Sequence, residues 1–513
     1  MSLLKCFVQW PCDSNFQRPA EPGRQGSLAC YLATGKKLME QKNPLFDASF
    51  IDEDRINRLL AEARRQSASS APAHLLAVID RAREAEGLSL EETAQLLFCE
   101  DDAVLGELFR TAGAIKQKIY GRRMVFFAPL YLSSFCINNC LYCGYRRDNK
   151  FERHRLTLDE IEAEIRALER MGHKRLALEC GEDPGECDLD YLEKAISAIY
   201  RVREGNGRIR RVNVNIAATS VENYRRLKKA QIGTYILFQE TYHRETYSQV
   251  HPSGPKRDYD YHTTAHHRAM SAGIDDVGLG VLFGLYDYHF EVLALLSHAQ
   301  ALEKSFGVGP HTLSVPRLRP AAGVDLRTFP HLVTDRDLKK IVAVLRLAVP
   351  YTGLIISTRE EPALRDELFA LGISQLSAGS STDVGGYASA GSAQSSPAAP
   401  QFQLSDRRSP DEVIADLCQK GFLPSFCTAC YRQGRTGDHF MPLAKSGSIQ
   451  NMCQPNAILT FKEYLLDYAS PAVRSLGEET IAQHLARIPL AKTRAETEAR
   501  LERLVQGERD LYF

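Results

Sequence analysis

Residues 125–145 read VFFAPLYLSSFCINNCLYCGY, and this stretch decides the architecture. Val125–Leu132 is a run of β-branched, aromatic and aliphatic residues of strand length. It empties into a loop bearing Cys136, Cys140 and Cys143, spaced C-x3-C-x2-C. Three thiolates leave one iron of a 4Fe–4S cube without a protein ligand, open to an amino and carboxylate chelate. A fourth cysteine would close the cube and reserve it for electron transfer. With 13 cysteines in 513 residues, chance produces this spacing only about 0.008 times per chain. Zinc is the alternative occupant, but its sites usually add a distant partner pair, and none lies nearby.

Downstream, short β-rich runs alternate with amphipathic helices. Further strands are expected at 175–180, 211–217, 234–240, 276–283, 312–318, 353–358 and 374–379. TLDEIEAEIRALERMG, DLDYLEKAISAIYRV, SVENYRRLKKAQ and TDRDLKKIVAVLRLAV read as helices between them. Eight such units predict an α/β fold, a (β/α)8 TIM-type barrel over 121–384. A doubly wound open sheet is the alternative, because periodicity alone does not show closure. The first cysteine loop then lies at the carboxyl end of the first strand, where barrel active sites form.

Before the barrel, residues 51–120 read as a helical segment, with Ser89 three residues ahead of Glu92 in a capping-box spacing. Residues 1–50 are an extension without clear periodicity. Its acidic Asp13, Glu21 and Glu40 argue for a bacterial extension over an organellar leader. Residues 385–402, rich in Ser, Ala and Gly, are expected as a flexible exposed loop. The last segment, 403–513, is expected to be a helical domain holding a second cluster. Lys+Arg and Asp+Glu both number 64, so net charge offers no case for nucleic acid or membrane. No apolar run approaches a bilayer span. Scattered cysteines around two tight clusters favour a reducing compartment, expected to be the cytoplasm, with an organelle of an anaerobic or algal eukaryote as the alternative.

The second cluster is FCTACYRQGRTGDHFMPLAKSGSIQNMC, giving Cys427, Cys430 and Cys453 spaced C-x2-C-x22-C. Again an iron–sulfur cluster with one open iron fits, and zinc completed by His439 is the alternative. Two such sites in one chain suggest that one makes a reactive species and the other receives it.

The first triad places the chain among radical S-adenosylmethionine (SAM) enzymes. Together with the second triad, PSFCTACYRQGRTGDHF, MCQPNAILTFKEYLLDYAS, VNVNIAATSVENY, GVLFGLYDY and a final RDLYF, it resembles the HydG family of FeFe-hydrogenase maturases from about Asp52 to Phe513. The related thiamine-pathway lyase (ThiH, 2-iminoacetate synthase) shares the barrel and first triad but lacks the second. The resemblance implies a SAM-derived radical that abstracts hydrogen from the amino group of L-tyrosine. Cleavage of Cα–Cβ then gives p-cresol and dehydroglycine, and the fragment becomes carbon monoxide and cyanide at an auxiliary cluster with a labile iron. It also implies a reductant such as ferredoxin or flavodoxin and other hydrogenase maturation proteins as partners. A non-catalytic iron–sulfur scaffold is the reading from another class.

Within this resemblance Tyr142 is expected beside the adenine. Gly181 and Glu182 of CGEDP, similar to the family's GGEP segment, are expected at the SAM amino group. Arg317 and Arg319 of SVPRLRP are candidates to clamp the tyrosine carboxylate, with Arg319 nearer the strand end and preferred. Gln239 and Glu240 close the fourth strand, and Glu240 is taken as the catalytic candidate. A labile iron needs a further ligand, and His311, just before the sixth strand, suits it.

Overall fold

The computed structural model describes residues 44–67, 72–389 and 400–513. Most of the 1–50 extension and residues 390–399 of the expected loop lie outside the described residues.

Strand β1 (Arg123–Ser133) is the axis on which the sheet closes. Seven more strands follow in chain order: β2 (Arg175–Cys180), β3 (Arg211–Asn215), β4 (Tyr235–Glu240), β5 (Val277–Val281), β6 (Thr312–Ser314), β7 (Gly353–Ile356) and β8 (Gln375–Ser377). Each pairs in parallel with the next, and β1 pairs with both β2 and β8, so the eight form a closed barrel. Closure excludes the open doubly wound sheet, which has two free edges.

A ninth strand, β9 (Leu423–Ser425), adds to the foot of β1 through Arg123↔Leu423 and Val125↔Ser425. It was not expected from the sequence. Three residues containing a proline carry no period to read, and tertiary pairing alone makes them a strand.

Helices connect the strands and cover the barrel. Leu158–Arg170 opens with a capping box in which Thr157 and Glu160 satisfy each other's backbone donors, and Ser89 with Glu92 does the same ahead of Leu90–Leu97. Losing such a cap costs about 1 kcal/mol. The helices of residues 53–120 pack on the outer barrel helices, with Val78, Ile79, Leu97 and Leu108 fully buried. Helices Gln450–Asp467, Pro471–Ala486 and Ala491–Val505 gather beside β9. No helix among the described residues is long and apolar enough to cross a membrane.

The described ends of the 385–402 segment are anchored by buried aromatic residues, although Ala388 is exposed. Tyr387 is buried and its hydroxyl donates to the Pro129 carbonyl at 2.7 Å, and Phe402 is buried as well. Aromatic anchors hold both ends of the low-complexity stretch to the barrel.

Candidate functional site

Side chains alternate along a strand, so one row of each strand faces the barrel interior. On β1 that row is Arg123, Val125, Phe127, Pro129 and Tyr131. Its upper members line a cavity of ≈ 210 Å³ at the carboxyl mouth, and Arg123 and Val125 line a second cavity of ≈ 80 Å³ at the amino mouth. Arg175 below and Ala177 and Glu179 above repeat this on β2. One continuous inward row therefore joins the two cavities.

Cys136, Cys140 and Cys143 all line the first cavity. Backbone bonds hold their loop: Leu141 N–H donates to Val250 O at 3.0 Å, Asn139 N–H to Ser253 O at 3.2 Å and Gly144 N–H to Gln401 O at 3.0 Å. Burial pushes all three thiols up, Cys143 to about 11. Three thiolates side by side therefore call for a cation among them, as an iron cluster supplies. Lys256, half-buried beside them and ion-paired with Glu240 at 2.7 Å, is held charged by that carboxylate and the thiols against the cost of desolvation.

Gly181 sits where β2 leaves the barrel. A Cβ there would come within 2.1 Å of the Phe135 carbonyl oxygen, so only glycine lets this turn lie against the cysteine loop. Glu182 lines the cavity too, and accepts from the Asn138 amide at 2.6 Å. Tyr142 lines it from the loop, and its hydroxyl meets His251 Nε2 at 2.8 Å. Because His251 Nδ1 faces the Tyr247 carbonyl at 2.8 Å, the ring donates there and accepts from Tyr142. Glu240 lines the cavity with φ of 71°, a left-handed backbone unusual for a glutamate. Gln239 turns away to donate to Thr263 Oγ1 at 2.9 Å.

The two SVPRLRP arginines do not line this cavity. Arg317 is committed to the fully buried Glu360, with Nε to Oε2 at 3.1 Å, and to Asp335. Arg319 donates to Ser405 Oγ and lies 3.8 Å from Glu361. β6 ends at Ser314, so both residues stand beyond the strand's inward row. Among the described residues, the arginine that does line the cavity is Arg359, past the end of β7. Its guanidinium lies 3.3 Å from the Phe402 ring centroid. Near it Glu179 is half-buried in the cavity wall, and desolvation pushes its carboxyl up to about 8, opposed by Arg359 and Asn215. Gln401, accepting from Tyr131 at 2.9 Å, completes the wall. The STRE segment after β7 held an arginine at a strand's carboxyl end, a signal the sequence reading passed over.

At the opposite mouth Cys427, Cys430 and Cys453 line the second cavity, and His311 lines it with them. Cys427 lies two residues past the end of β9, Cys430 rides the short helix Ala429–Arg432, and Cys453 lies in Gln450–Asp467. Arg175 fixes the first of these by donating to the Cys427 carbonyl at 2.8 Å. His439 does not line this cavity.

Residues 130–297 match the family model of the Radical SAM superfamily, and residues 314–423 that of the Biotin and Thiamin Synthesis associated domain. A solved structure described as HydG, a maturase of the [FeFe]-hydrogenase, is 56% identical with a TM-score of 0.87, covering 91% of this chain and 100% of its own. The chain belongs to the HydG family. HydG from Carboxydothermus hydrogenoformans is 41% identical with a TM-score of 0.76, over 88% of this chain and 99% of its own. The 2-iminoacetate synthase of Salmonella typhimurium is 32% identical over 67% of this chain and 89% of its own length. Membership in the HydG family of radical SAM enzymes implies a 4Fe–4S cluster and SAM, and the glycine cradle and thiol-lined cavity fit both.

Proposed function

We propose that this chain is an L-tyrosine lyase that cleaves Cα–Cβ to p-cresol and dehydroglycine and turns the fragment into carbon monoxide and cyanide for FeFe-hydrogenase H-cluster assembly. The observation that carries the reading is two thiol triads at opposite mouths of one barrel, joined by a single inward-facing row. When bound, the first cluster and SAM supply a 5′-deoxyadenosyl radical on receipt of one electron from a ferredoxin or flavodoxin. Everything else falls to the protein.

Cys136, Cys140 and Cys143 hold the first cluster, with Gly181 and Glu182 at the SAM amino group and Tyr142 at the adenine. Arg359, the guanidinium in the cavity wall, holds the tyrosine carboxylate. Hydrogen abstraction needs a neutral amine, so the ammonium proton must leave first. Glu179, with a carboxyl poised at about 8, takes it. The closed barrel keeps water from the carbon radical. Cys427, Cys430 and Cys453 hold an auxiliary cluster at the far mouth, His311 holds its labile iron, and the interior confines the diatomic products between the ends.

The test is anaerobic reconstitution with SAM, tyrosine and a reductant. A lyase yields 5′-deoxyadenosine and p-cresol, and a non-catalytic scaffold yields neither. The 2-iminoacetate synthase reading shares the first half of this chemistry, and carbon monoxide release separates the two.

A further inference from the structure

Asp276 stands immediately before β5, and His311 immediately before β6, on neighbouring strands at the amino mouth. Both backbones are fixed: His311 N–H donates to Val277 O at 2.9 Å, Gly353 N–H to His311 O at 2.9 Å and Tyr235 N–H to Asp276 O at 3.0 Å. Both side chains line the second cavity, where Asp276 is the sole carboxylate among the described lining residues. Its side chain is 3% exposed, and neither carboxylate oxygen has a hydrogen-bond partner.

A buried carboxylate without a partner is costly, so its retention calls for a donor that the site brings into place. Each arginine of the cavity donates to a backbone carbonyl, although Arg175 Nε and Arg435 Nε have no partner of their own. Arg175 donates to the Cys427 carbonyl, Arg435 to the Phe513 carbonyl and Arg123 to the Tyr120 carbonyl. Among the described basic side chains, the one whose nitrogen comes within 4 Å of this carboxylate is His311, with Nδ1 3.9 Å from Asp276 Oδ2. That is longer than a hydrogen bond, and a ring shift of about 1 Å closes it.

We propose that Asp276 is a positioning residue for the auxiliary site, accepting Nδ1–H of His311 and so fixing the tautomer that leaves Nε2 as the donor to iron. A histidine that binds metal usually gives its other N–H to a carboxylate or carbonyl, which orients the ring and raises its basicity. The inference rests on the reading of the second cavity as an auxiliary cluster with a labile iron.

The test titrates that iron with a chelator in anaerobically reconstituted protein, reading cluster spectra and p-cresol yield alongside. His311→Ala loses the labile iron while both cubes remain. Asp276→Ala weakens its retention roughly 10–100-fold, the range for lost outer partners of a ligand. Asp276→Asn, which still presents an acceptor oxygen, restores most of it, and p-cresol formation at the other mouth is unchanged in the two Asp276 variants. Retention in Asp276→Ala equal to the unaltered protein overturns the proposal, and so does an asparagine variant as weak as the alanine one. If the unaltered protein and His311→Ala hold the same iron, the reading of the second cavity fails instead. In the unaltered protein, pulsed EPR with histidine labelled at one nitrogen expects the direct coupling from Nε2. Direct coupling from Nδ1 refutes the dyad even where a variant does not fold.

Discussion

Arg359 lies beyond the last residue of β7, and its place in the cavity wall rests on packing against Phe402. Replacing it with Ala removes a charge-assisted contact of about 1.5–3 kcal/mol, so KM for tyrosine should rise roughly 10–100-fold. Arg319→Ala should leave KM within about threefold, since that side chain serves Ser405; steady-state p-cresol formation reads both. Glu179 yields a pH expectation. Burial raises its carboxyl to about 8, so it is protonated below that pH and able to accept a proton above it. The rate of p-cresol formation should therefore climb through about pH 8, and Glu179→Gln should flatten the climb and lower kcat by about 10²–10⁴. The six cysteines were legible because two tight thiol patterns are improbable by chance. Arg359 and Glu179 were not, because one charge at a strand's end reads alike whether it faces a cavity or a rim salt bridge. Arg317 is the rim case, tied to Glu360.

β9 and the last residues of the chain do for the second cavity what the cysteine loop does for the first. Arg435 lines that cavity, donates to the Phe513 carbonyl at 2.7 Å, and Phe513 N–H donates to Asn456 Oδ1 at 2.7 Å. Asp510 pairs with Arg432 at 2.7 Å and with the buried Arg210 at 3.1 Å. Removing residues 510–513 should therefore weaken iron retention at the second site by roughly 10–100-fold. First-cluster absorbance and p-cresol yield should persist, and iron analysis with visible spectra checks both. The eight barrel strands were legible because each is a short β-rich or alternating run between turn signals, and the parallel pairings then follow from the helices between them. β9 was not, since Leu423–Ser425 pairs only because Arg123–Val125 extends below the reach of β2. The ends of the 385–402 segment misled for the opposite reason: Tyr387, Gln401 and Phe402 are anchors set in a composition that reads as solvent.

Over the whole molecule, the inward row of β1 runs from Arg123 at one thiol triad to Tyr131 at the other. Barrel strands place radical chemistry at their carboxyl ends, and β9 with the helices that follow caps the amino ends with a second site. On the proposed reading, carbon monoxide and cyanide formed in such an interior would meet iron at the far mouth before solvent. Division of labour between two mouths is the claim on which the account stands. Its most direct test is the product balance of the Cys427→Ala/Cys430→Ala variant, reconstituted anaerobically with SAM, tyrosine and reductant. The account expects the second-cluster EPR signal and carbon monoxide to vanish while a substantial part of the p-cresol yield remains. Undiminished carbon monoxide without the second cluster, or loss of p-cresol with the first cluster's signal intact, would contradict it.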